Sequence, residues 1–483
     1  MTIDYDVVII GGSLAGYYAA LAATKLRATV ALVESKVDYG LTTHHALTEI
    51  GKLAQKFNDG ASFGIHTTHT DTLEECHISM AWQEAMLYAQ CVASNLKEQH
   101  SPAILAALGV DIIVGNGQFQ SSPQLAFVVN NRLLRARNYL LATGSRPEIP
   151  EIEGLEASGY LTLSNIWQSL QGGILPKNWV IIGGIPQSVE IAQILARFGC
   201  RVTLVVKHPY FLPSIDSELA ILLQAQLEVE GVRVFTDTPV TQVRLIEDKK
   251  WIQAGDKAIE TDEILVATGQ QPNIESLNFA KVGVKWHRRS LVVNDKLQTT
   301  NHRIYACGDV IGGYDFPNIA HYEAKIALNN ALFFPRLRVN YRSIPWAMFS
   351  VPMVAQVGLT EAQAKRLFSQ DEILVFRQYF KTVAAAQIRD ETTGICKLIV
   401  LRNGEILGAA ILGTEAGELI NLIALAMSEK IKVKDLANLS PVYPSFSEIL
   451  EQTARDWSQH LNRNTGLQEF LEGFFHFRRN WNL

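Results

Sequence analysis

The chain has 483 residues, of which 48% are hydrophobic and 19% are charged, and its formal net charge is −5. This length predicts two to four domains, and the composition is that of an ordinary globular protein. The small negative charge provides no basic surface, which argues against a nucleic-acid partner. The sequence begins almost at once with an apolar strand, and no apolar run approaches the ~18 residues of a membrane span. We therefore expect a cytoplasmic protein.

The first 34 residues contain a strand, a glycine turn, a helix and a second strand, in the stretch YDVVIIGGSLAGYYAALAATKLRATVALVE. Such a turn sets backbone N–H groups and a helix N-terminus against a pyrophosphate. The turn positions are Gly11, Gly12, Ser13 and Gly16. Glu34, which closes the second strand, is placed to accept hydrogen bonds from an adenosine ribose. This βαβ unit predicts a dinucleotide site.

A second βαβ unit follows in the stretch NWVIIGGIPQSVEIAQILARFGCRVTLVVK. Its glycine positions hold Gly183, Ile185 and Ser188, and the branched Ile185 stands where the backbone must approach a phosphate. Lys207 and His208 follow the strand in place of an acid, and these cations suit a 2′-phosphate. A working NADP site and a degenerate one both remain open.

Cysteines and histidines give no metal or disulfide pattern. The five cysteines are scattered without paired spacing, at Cys76, Cys91, Cys200, Cys307 and Cys396. An odd, unpatterned set predicts reduced thiols. The spacing of four histidines matches no zinc or copper site that we can justify, and these are His44, His45, His66 and His69. We predict no metal.

Further motifs carry a family resemblance. They are ATGSRP at 142–147, ATGQQPN at 267–273, IYACGDV at 304–310, and the later stretches IPWAMFSVPMVAQVGLTEAQA and YPSFSEIL. Together with the first glycine turn, they resemble the pyridine nucleotide–disulfide oxidoreductase family, which includes dihydrolipoamide dehydrogenase, glutathione reductase and mercuric reductase. The resemblance covers roughly residues 5–451.

The resemblance implies an α/β fold with two Rossmann-like nucleotide-binding domains and a C-terminal α+β dimerisation domain. We expect an FAD-binding domain over 1–147 and 271–340, and an NAD(P)-binding-like domain over 148–270. An α+β interface domain is expected over 341–460, followed by an aromatic helical tail over 461–483. Family members form homodimers in which each active site is completed across the two-fold axis, and we expect the same here.

The family motifs assign FAD contacts to particular residues. The first A-T-G motif contains Thr143 and Gly144, and the G-D motif contains Gly308 and Asp309. The resemblance implies that Asp309 binds the ribityl chain of FAD.

A lysine and a glutamate pair near flavin N5 in relatives, and Lys52 and Glu190 stand in about those places. A positive charge beside the flavin ring would favour the reduced anion. The alternative is a surface ion pair of no consequence.

The reactive cysteines of the family are replaced. Relatives carry the pattern G-G-T-C-x-x-x-x-C-x-P-S-K, and here the cysteine places hold Thr43 and Thr48. A hydroxyl is neither a thiolate nucleophile nor an electron store, so dithiol chemistry is not expected. Thr43 is also a candidate FAD contact.

Other candidate proton-handling groups lie near the same site or near the C-terminus. Relatives that reduce disulfides carry H-P-T-L-S-E, whereas this chain has Tyr443 in the histidine place and retains Glu448. Tyrosine is a poor base at neutral pH. His44 and His45 resemble the loop histidine of soluble transhydrogenases and could move a proton beside the flavin. The alternative is that they make structural contacts only.

The C-terminal tail has apolar residues at helical spacing with two arginines beside them: Leu467, Phe470, Leu471, Phe474, Trp481, Arg478 and Arg479. Such a helix could pack on its own domain or on the dimer mate. It could also dock on a partner protein or a membrane surface.

We therefore predict an FAD-dependent oxidoreductase that passes electrons between the flavin and a small acceptor without a redox-active disulfide, with NADPH as the favoured donor. The alternative is a non-catalytic or redox-sensing FAD protein with a degenerate pyridine-nucleotide site. Ile185 and the missing base favour the alternative, whereas Lys52 and Glu190 favour the enzyme.

Overall fold

The structure is a computed structural model that describes residues 3–34, 40–58, 60, 63, 80–313, 315–462 and 465–481. Its α-helices are, in chain order, α1 Leu14–Lys25, α2 Gly40–Asn58, α3 Trp82–Gln99, α4 Pro102–Ala107, α5 Leu155–Ser158, α6 Ile166–Ser169, α7 Pro186–Arg197, α8 Ser217–Val229, α9 Pro317–Leu332, α10 Glu361–Leu367, α11 Ala384–Ile388, α12 Ala416–Ser428, α13 Val433–Leu436, α14 Glu448–Asn462 and α15 Thr465–Asn480. Among the described residues, no helix combines the length and the apolar character needed to cross a membrane.

The β-strands are, in chain order, β1 Tyr5–Ile10, β2 Val30–Glu34, β3 Asp111–Val114, β4 Gly117–Gln120, β5 Ala126–Val129, β6 Arg132–Leu134, β7 Ala136–Leu141, β8 Ser145–Pro147, β9 Leu161–Thr162, β10 Asn178–Ile182, β11 Arg201–Val205, β12 Arg233–Phe235, β13 Val240–Ile246, β14 Lys249–Ala254, β15 Lys257–Thr261, β16 Glu263–Val266, β17 Gln270–Pro272, β18 Trp286–His287, β19 Ser290–Leu291, β20 Ile304–Ala306, β21 Trp346–Met348, β22 Met353–Gly358, β23 Ile373–Tyr379, β24 Ile395–Leu401 and β25 Ile406–Gly413. The chain divides into two compact units, one of Met1–Phe211 with Leu227–Val339 and the other of Leu212–Gln226 with Asn340–Leu483.

The first unit contains two parallel sheets built on the two βαβ units. One has the strand order β20-β7-β1-β2-β3, and the other has the order β12-β11-β10-β16-β9. Strands β1 and β10 lie inside their sheets, which explains why both are nearly continuous apolar runs. Each glycine turn therefore leaves the carboxyl end of a central strand, where open α/β sheets bind their ligands.

Helix α1 packs beside α9 against the first sheet because both helices present small side chains there. Ala20 and Ala23 of α1 share a buried cluster with Ala324 and Ala327 of α9. Alanine lets two helices approach closely while keeping high helix propensity. This packing holds the N-terminus of α1 against the end of β1.

The second unit is an antiparallel sheet in the order β21-β22-β25-β24-β23, with α12 and α14 among its helices. Strands β24 and β25 are buried along almost their whole length. Ile411 of β25 shares a core cluster with Ile423 of α12 and Ile449 of α14. The predicted α/β class with a C-terminal α+β domain is confirmed.

A buried charge network lies inside this second unit. Lys397, on β24, is 2% exposed, and its Nζ lies 2.9 Å from Asp216 Oδ1, 3.2 Å from Glu218 Oε2 and 2.7 Å from Glu361 Oε2. Arg377 Nε lies 2.8 Å from Glu218 Oε2. A buried ammonium requires such partners because the loss of hydration is otherwise uncompensated.

Candidate active site

The three glycines of the first turn cannot be replaced by residues that carry a side chain. Gly11 has a φ of +118°, and a Cβ added there would overlap the carbonyl oxygen of Ala142. A Cβ on Gly12 would lie 2.5 Å from Glu34 Cγ, and one on Gly16 would overlap Gly11 O. The turn therefore packs closely on its surroundings, and its backbone N–H groups together with the N-terminus of α1 form a cradle of the kind that fits a pyrophosphate.

Ser13 caps the helix that follows this turn. It is the N-cap of α1, where its Oγ accepts a hydrogen bond from Gly16 N at 3.4 Å and donates one to Ala142 O at 2.8 Å. A serine therefore stabilises the turn at a position that the family motif gives to glycine. The departure from the motif leaves the helix N-terminus well formed.

Glu34 lies at the end of β2 and is largely buried. Burial raises the pKa of Glu34, and the positive charge of Lys97 acts in the opposite direction. The carboxyl group stands beside the glycine turn, as an acceptor for ribose hydroxyls must.

Buried polar groups at the predicted FAD contacts also fit a ligand. Within the described part of the chain, the buried Oγ1 of Thr143 has no hydrogen-bond partner. Gly308 N donates to Glu323 Oε2 at 2.7 Å, and Ser145 Oγ donates to Asp309 Oδ2 at 3.4 Å. Buried hydroxyls are normally paired, so Thr143 indicates a group that is supplied from outside the chain. These residues fit FAD.

The second glycine turn is well formed, and a branched residue stands at one of its positions. Gly183 has a φ of +132°, and Ser188 Oγ donates to Gly183 O at 3.2 Å and to Ile185 O at 2.6 Å. Ile185 is the N-cap of α7 and makes no side-chain cap. Lys207 and His208 are exposed just after β11. The turn can hold a nucleotide only if the Ile185 side chain leaves room for a phosphate.

The predicted lysine–glutamate pair is arranged differently from the expectation. Glu190 Oε2 lies 2.7 Å from His44 Nε2, and both side chains are about 5% exposed or less. Lys52 Nζ lies 4.0 Å from Glu49 Oε2 on its own helix. The structure thus brings together His44 from α2 and Glu190 from α7, a contact that no local pattern indicates.

Thr43 and Thr48, which the family resemblance aligns with the reactive cysteines, lie on the same helix as His44. Thr43 and Thr48 are buried, and Thr48 Oγ1 donates to His44 O at 3.1 Å. This is the ordinary back-bond of a threonine inside a helix. Since α2 runs unbroken from Gly40 to Asn58, both positions belong to regular helix.

His45 lies beside His44, with ring centroids 5.6 Å apart. Burial lowers the pKa of His45 to about 4, and the neighbouring His44 acts in the same direction. His45 is therefore neutral at physiological pH. Trp167 of α6 also lies beside His44, and the centroids of the two rings are 5.7 Å apart.

A cavity of about 350 Å³ lies beside Thr43. Its lining also includes Lys97 and Ser94 of α3, with Gln168 and Trp167 of α6. Ammonium, hydroxyl and amide groups are hydrogen-bond donors for a polar ligand. Lys97 and Trp167 belong to no sequence motif, and only the packing of α3 and α6 brings them here.

The C-terminal candidates lie in the second unit. Tyr443 is 75% exposed in the single chain. Glu448 Oε1 accepts a hydrogen bond from Ser445 N at 2.8 Å at the start of α14. Their predicted contact with the flavin of a partner subunit stays a prediction.

The described cysteines are free thiols, namely Cys91, Cys200, Cys307 and Cys396. Cys76, His66 and His69 lie outside the described residues. Among the described residues, no group of three histidine, cysteine or acidic side chains is arranged to hold a metal ion.

Comparison with known proteins places the chain in a family. A sequence model of the pyridine nucleotide-disulphide oxidoreductase family matches residues 5–324, and a model of the family's dimerisation domain matches residues 344–454. Mercuric reductase from Staphylococcus aureus is 29% identical over 476 residues, which is 95% of this chain and 84% of the relative. Dihydrolipoyl dehydrogenase from Synechocystis sp. is 29% identical, covering 93% of this chain and 98% of the relative.

Solved structures share the fold. The HOCl-induced flavoprotein disulfide reductase RclA from Escherichia coli has a TM-score of 0.80 at 24% identity and covers 93% of this chain and 99% of its own. LpdA from Mycobacterium tuberculosis has a TM-score of 0.83 at 23% identity, with the same coverage of the two chains.

The family consists of FAD-dependent oxidoreductases that are reduced by NAD(P)H, and its dimerisation domain pairs two copies of the chain. The predictions of FAD as cofactor and of a homodimer are therefore supported at the level of the family. With sequence models matched over most of its length, this chain belongs to the pyridine nucleotide-disulphide oxidoreductase family.

Proposed function

We propose that the chain is an FAD-dependent oxidoreductase that passes electrons between the flavin and a small acceptor without a redox-active disulfide. The observation that supports it best is the buried hydrogen bond of 2.7 Å between His44 and Glu190. This pair lies on and beside the helix that carries Thr43 and Thr48, the residues in the cysteine places. By this alignment, the pair would supply a proton-moving group at the place where relatives carry their thiols.

The chain's own residues would hold and orient the cofactor. Bound FAD would supply the two-electron chemistry. The cradle at residues 11–16 would bind the pyrophosphate through backbone N–H groups, Glu34 would accept hydrogen bonds from the ribose, and Asp309 would bind the ribityl chain. Thr143 would gain the partner that its hydroxyl lacks within the described chain.

His44 would hold and move the proton. A carboxylate at hydrogen-bond distance orients the imidazole and fixes which of its nitrogens faces the carboxylate. Burial excludes water from the pair and strengthens this interaction. His45 is kept neutral by burial and would not compete for the proton. His44 is thus the candidate general acid and Glu190 its positioning residue.

The favoured donor is NADPH. Lys207 and His208 are exposed at the end of β11, where a 2′-phosphate would be bound in a Rossmann-like domain. Ile185 beside the turn would make this reduction slow. A cytoplasmic location remains a prediction.

The test is anaerobic mixing of the FAD-loaded protein with NADPH or NADH, followed by a soluble benzoquinone, while flavin absorbance is recorded. We expect slow reduction that favours NADPH, then reoxidation by the quinone. His44→Asn should slow reoxidation by about 10²-fold or more, the scale of general acid catalysis. Glu190→Gln should slow the same step by a smaller factor, because an amide holds the imidazole less firmly than a carboxylate does.

Thr48→Val is the matched control, since its hydroxyl bonds only to the backbone of its own helix in the described structure. It should react like the unmodified protein. Turnover of lipoamide or glutathione disulfide as fast as that of the quinone would contradict the proposal.

A second candidate function is a redox-sensing or non-catalytic flavoprotein, which the side chain of Ile185 favours. It predicts FAD-loaded protein that neither NADPH nor NADH reduces. Ile185→Gly would then restore reduction if the side chain is the only obstacle.

A further inference from the structure

The last helix of the described chain presents its side chains to solvent. Every side chain from 469 to 481 is exposed, and Phe470, Phe477 and Trp481 are 67%, 57% and 62% exposed. This helix, α15, lies beyond residue 454, where the match to the dimerisation domain ends. Neither the flavin site nor the matched dimerisation domain accounts for it.

The exposed aromatic side chains form one face. At 100° per residue, Phe470, Phe474, Phe477 and Trp481 project within roughly 60° of one another. Phe477 and Trp481 are in ring contact, with centroids 5.0 Å apart. Leu471 and Phe475 widen the apolar arc to roughly 160°, and the opposite face carries Glu469, Glu472, His476 and Asn480. A continuous apolar face of this size requires a covering surface.

The position of Arg478 discriminates between the surfaces that could cover this face. The same spacing places Arg478 inside the apolar arc, between Leu471 and Phe474. In a dry contact with another protein or a second copy, a guanidinium there would need a buried carboxylate partner. At a bilayer surface, its apolar stem lies among the aromatic rings while its head reaches the lipid phosphates.

The charge along the helix also matches a lipid headgroup layer. Glu469 and Glu472 lie in the first half of α15, whereas Arg478 and Arg479 lie in its last turn. Arg478 and Arg479 project about 100° apart around the helix, and each guanidinium can bind a phosphate through two hydrogen bonds. A helix of 16 residues is about 24 Å long, which is too short to span a bilayer.

We propose that α15 is an interfacial helix that lies on a phospholipid bilayer, with its aromatic face among the acyl chains and Arg478 and Arg479 on anionic headgroups. Amphipathic helices with aromatic faces and flanking cations bind membranes in this way. The proposal is independent of the redox chemistry, since it concerns a surface outside the flavin site.

The test is vesicle flotation of the full-length, FAD-loaded protein. Vesicles of phosphatidylcholine are compared with vesicles of phosphatidylcholine and phosphatidylglycerol at about 7:3. We expect the protein to float with both and more strongly with the anionic vesicles, with an advantage that falls as salt rises. Phe474→Ser with Phe477→Ser should lower the bound fraction at least about tenfold.

Two further variants separate the contributions. Arg478→Gln with Arg479→Gln should remove the preference for anionic vesicles, because it removes both guanidinium groups. Phe334→Ser is the matched control, since Phe334 is 74% exposed but lies outside the tail. It should float like the unmodified protein.

Failure to float with either vesicle would overturn the proposal, as would equal losses in Phe334→Ser and the tail variants. Light scattering distinguishes binding to a membrane from contact with a second copy of the chain. One contrary result is that the unmodified protein fails to bind vesicles while Phe474→Ser with Phe477→Ser halves the particle mass in solution. That combination of results would show that α15 is a contact between the two copies of the dimer. If the chain does not float with vesicles but captures a partner protein through α15, the proposal is also wrong.

Discussion

At the scale of single side chains, the hydrogen-bond partners of buried polar residues indicate which of them contact a cofactor and which contact each other. Thr143 lacks a partner within the described chain, which points to the cofactor, and His44 has an intramolecular partner in Glu190. His45 is the opposite case, since it is held neutral by burial. We therefore expect the protonation of His45 to change the free energy of unfolding of the protein and not the rate of the redox reaction.

The first prediction concerns acid sensitivity. The pKa of His45 is lowered from 6.5 to about 4 in the folded chain, so the unfolded chain binds this proton first as the pH falls. The free energy of unfolding should be unaffected by His45 above pH 6.5 and should decrease between pH 6.5 and 4, by about 3 kcal/mol at most. Urea denaturation at pH 7 and pH 4.5 measures this loss.

His45→Leu should lose less stability over the same pH interval, because no imidazole is left to protonate. An equal loss in His45→Leu and the unmodified protein would show that other groups cause the acid sensitivity.

At the scale of elements, helix α2 can be compared with the family pattern that its sequence resembles. The resemblance aligns Ile50 with the proline of C-x-P-S-K, and the helix continues past Ile50 to Asn58. In a regular helix, residues five apart have Cα atoms ~8–9 Å apart, which exceeds the ~7 Å reach of a disulfide.

The second prediction follows from this geometry. Thr43→Cys combined with Thr48→Cys should keep two free thiols under mild oxidation, as measured by thiol titration with and without reductant. Adding Ile50→Pro should allow the bridge, because it unwinds the helix there. A bridge in the first variant alone would show that the start of α2 is not regular helix in solution.

The third prediction concerns the charge network around β24. Lys397→Met should destabilise the second unit by about 3–5 kcal/mol, because buried carboxylates such as Asp216 lose their cation. Lys365→Met removes a cation from the same network, but its ion pair with Glu361 is half-exposed and should contribute less than about 1 kcal/mol. Urea denaturation measures the free energy of unfolding of both variants. Equal losses would show that burial does not determine how much each ion pair contributes.

At the scale of the whole molecule, the chain is expected to work as a homodimer. The dimerisation model covers residues 344–454, and within it Leu425 of α12 is 57% exposed and Val442 is 80% exposed in the single chain. Apolar side chains this exposed in a dimerisation domain indicate the surface that the second copy covers.

The fourth prediction tests that surface. Leu425→Glu should halve the mass measured by light scattering, since it sets a charge in an apolar interface. Ile174→Glu is the control, because Ile174 is 91% exposed outside this domain, and its mass should not change. A dimeric Leu425→Glu variant with unaltered stability would place the interface elsewhere.

Local sequence was sufficient to predict the two βαβ units, the cradle at residues 11–16 and the acid at Glu34. Their physics is short-range, since a glycine turn, a helix N-cap and a strand end lie within about 25 residues of one another. The tail helix was predictable for the same reason, because helical spacing is a local property.

Tertiary structure alone decided which distant side chains meet, both at the candidate site and in the charge network of the second unit. His44 and Glu190 are 146 positions apart, and Lys397 and Asp216 are 181 apart. Such contacts depend on how helices and strands pack, and the sequence around each residue carries no sign of the distant partner. The resemblance predicts that Glu190 pairs with Lys52 near the flavin, and this stays a prediction. In the structure Glu190 Oε2 lies 2.7 Å from His44 Nε2, because α2 packs against α7 and brings the two side chains together.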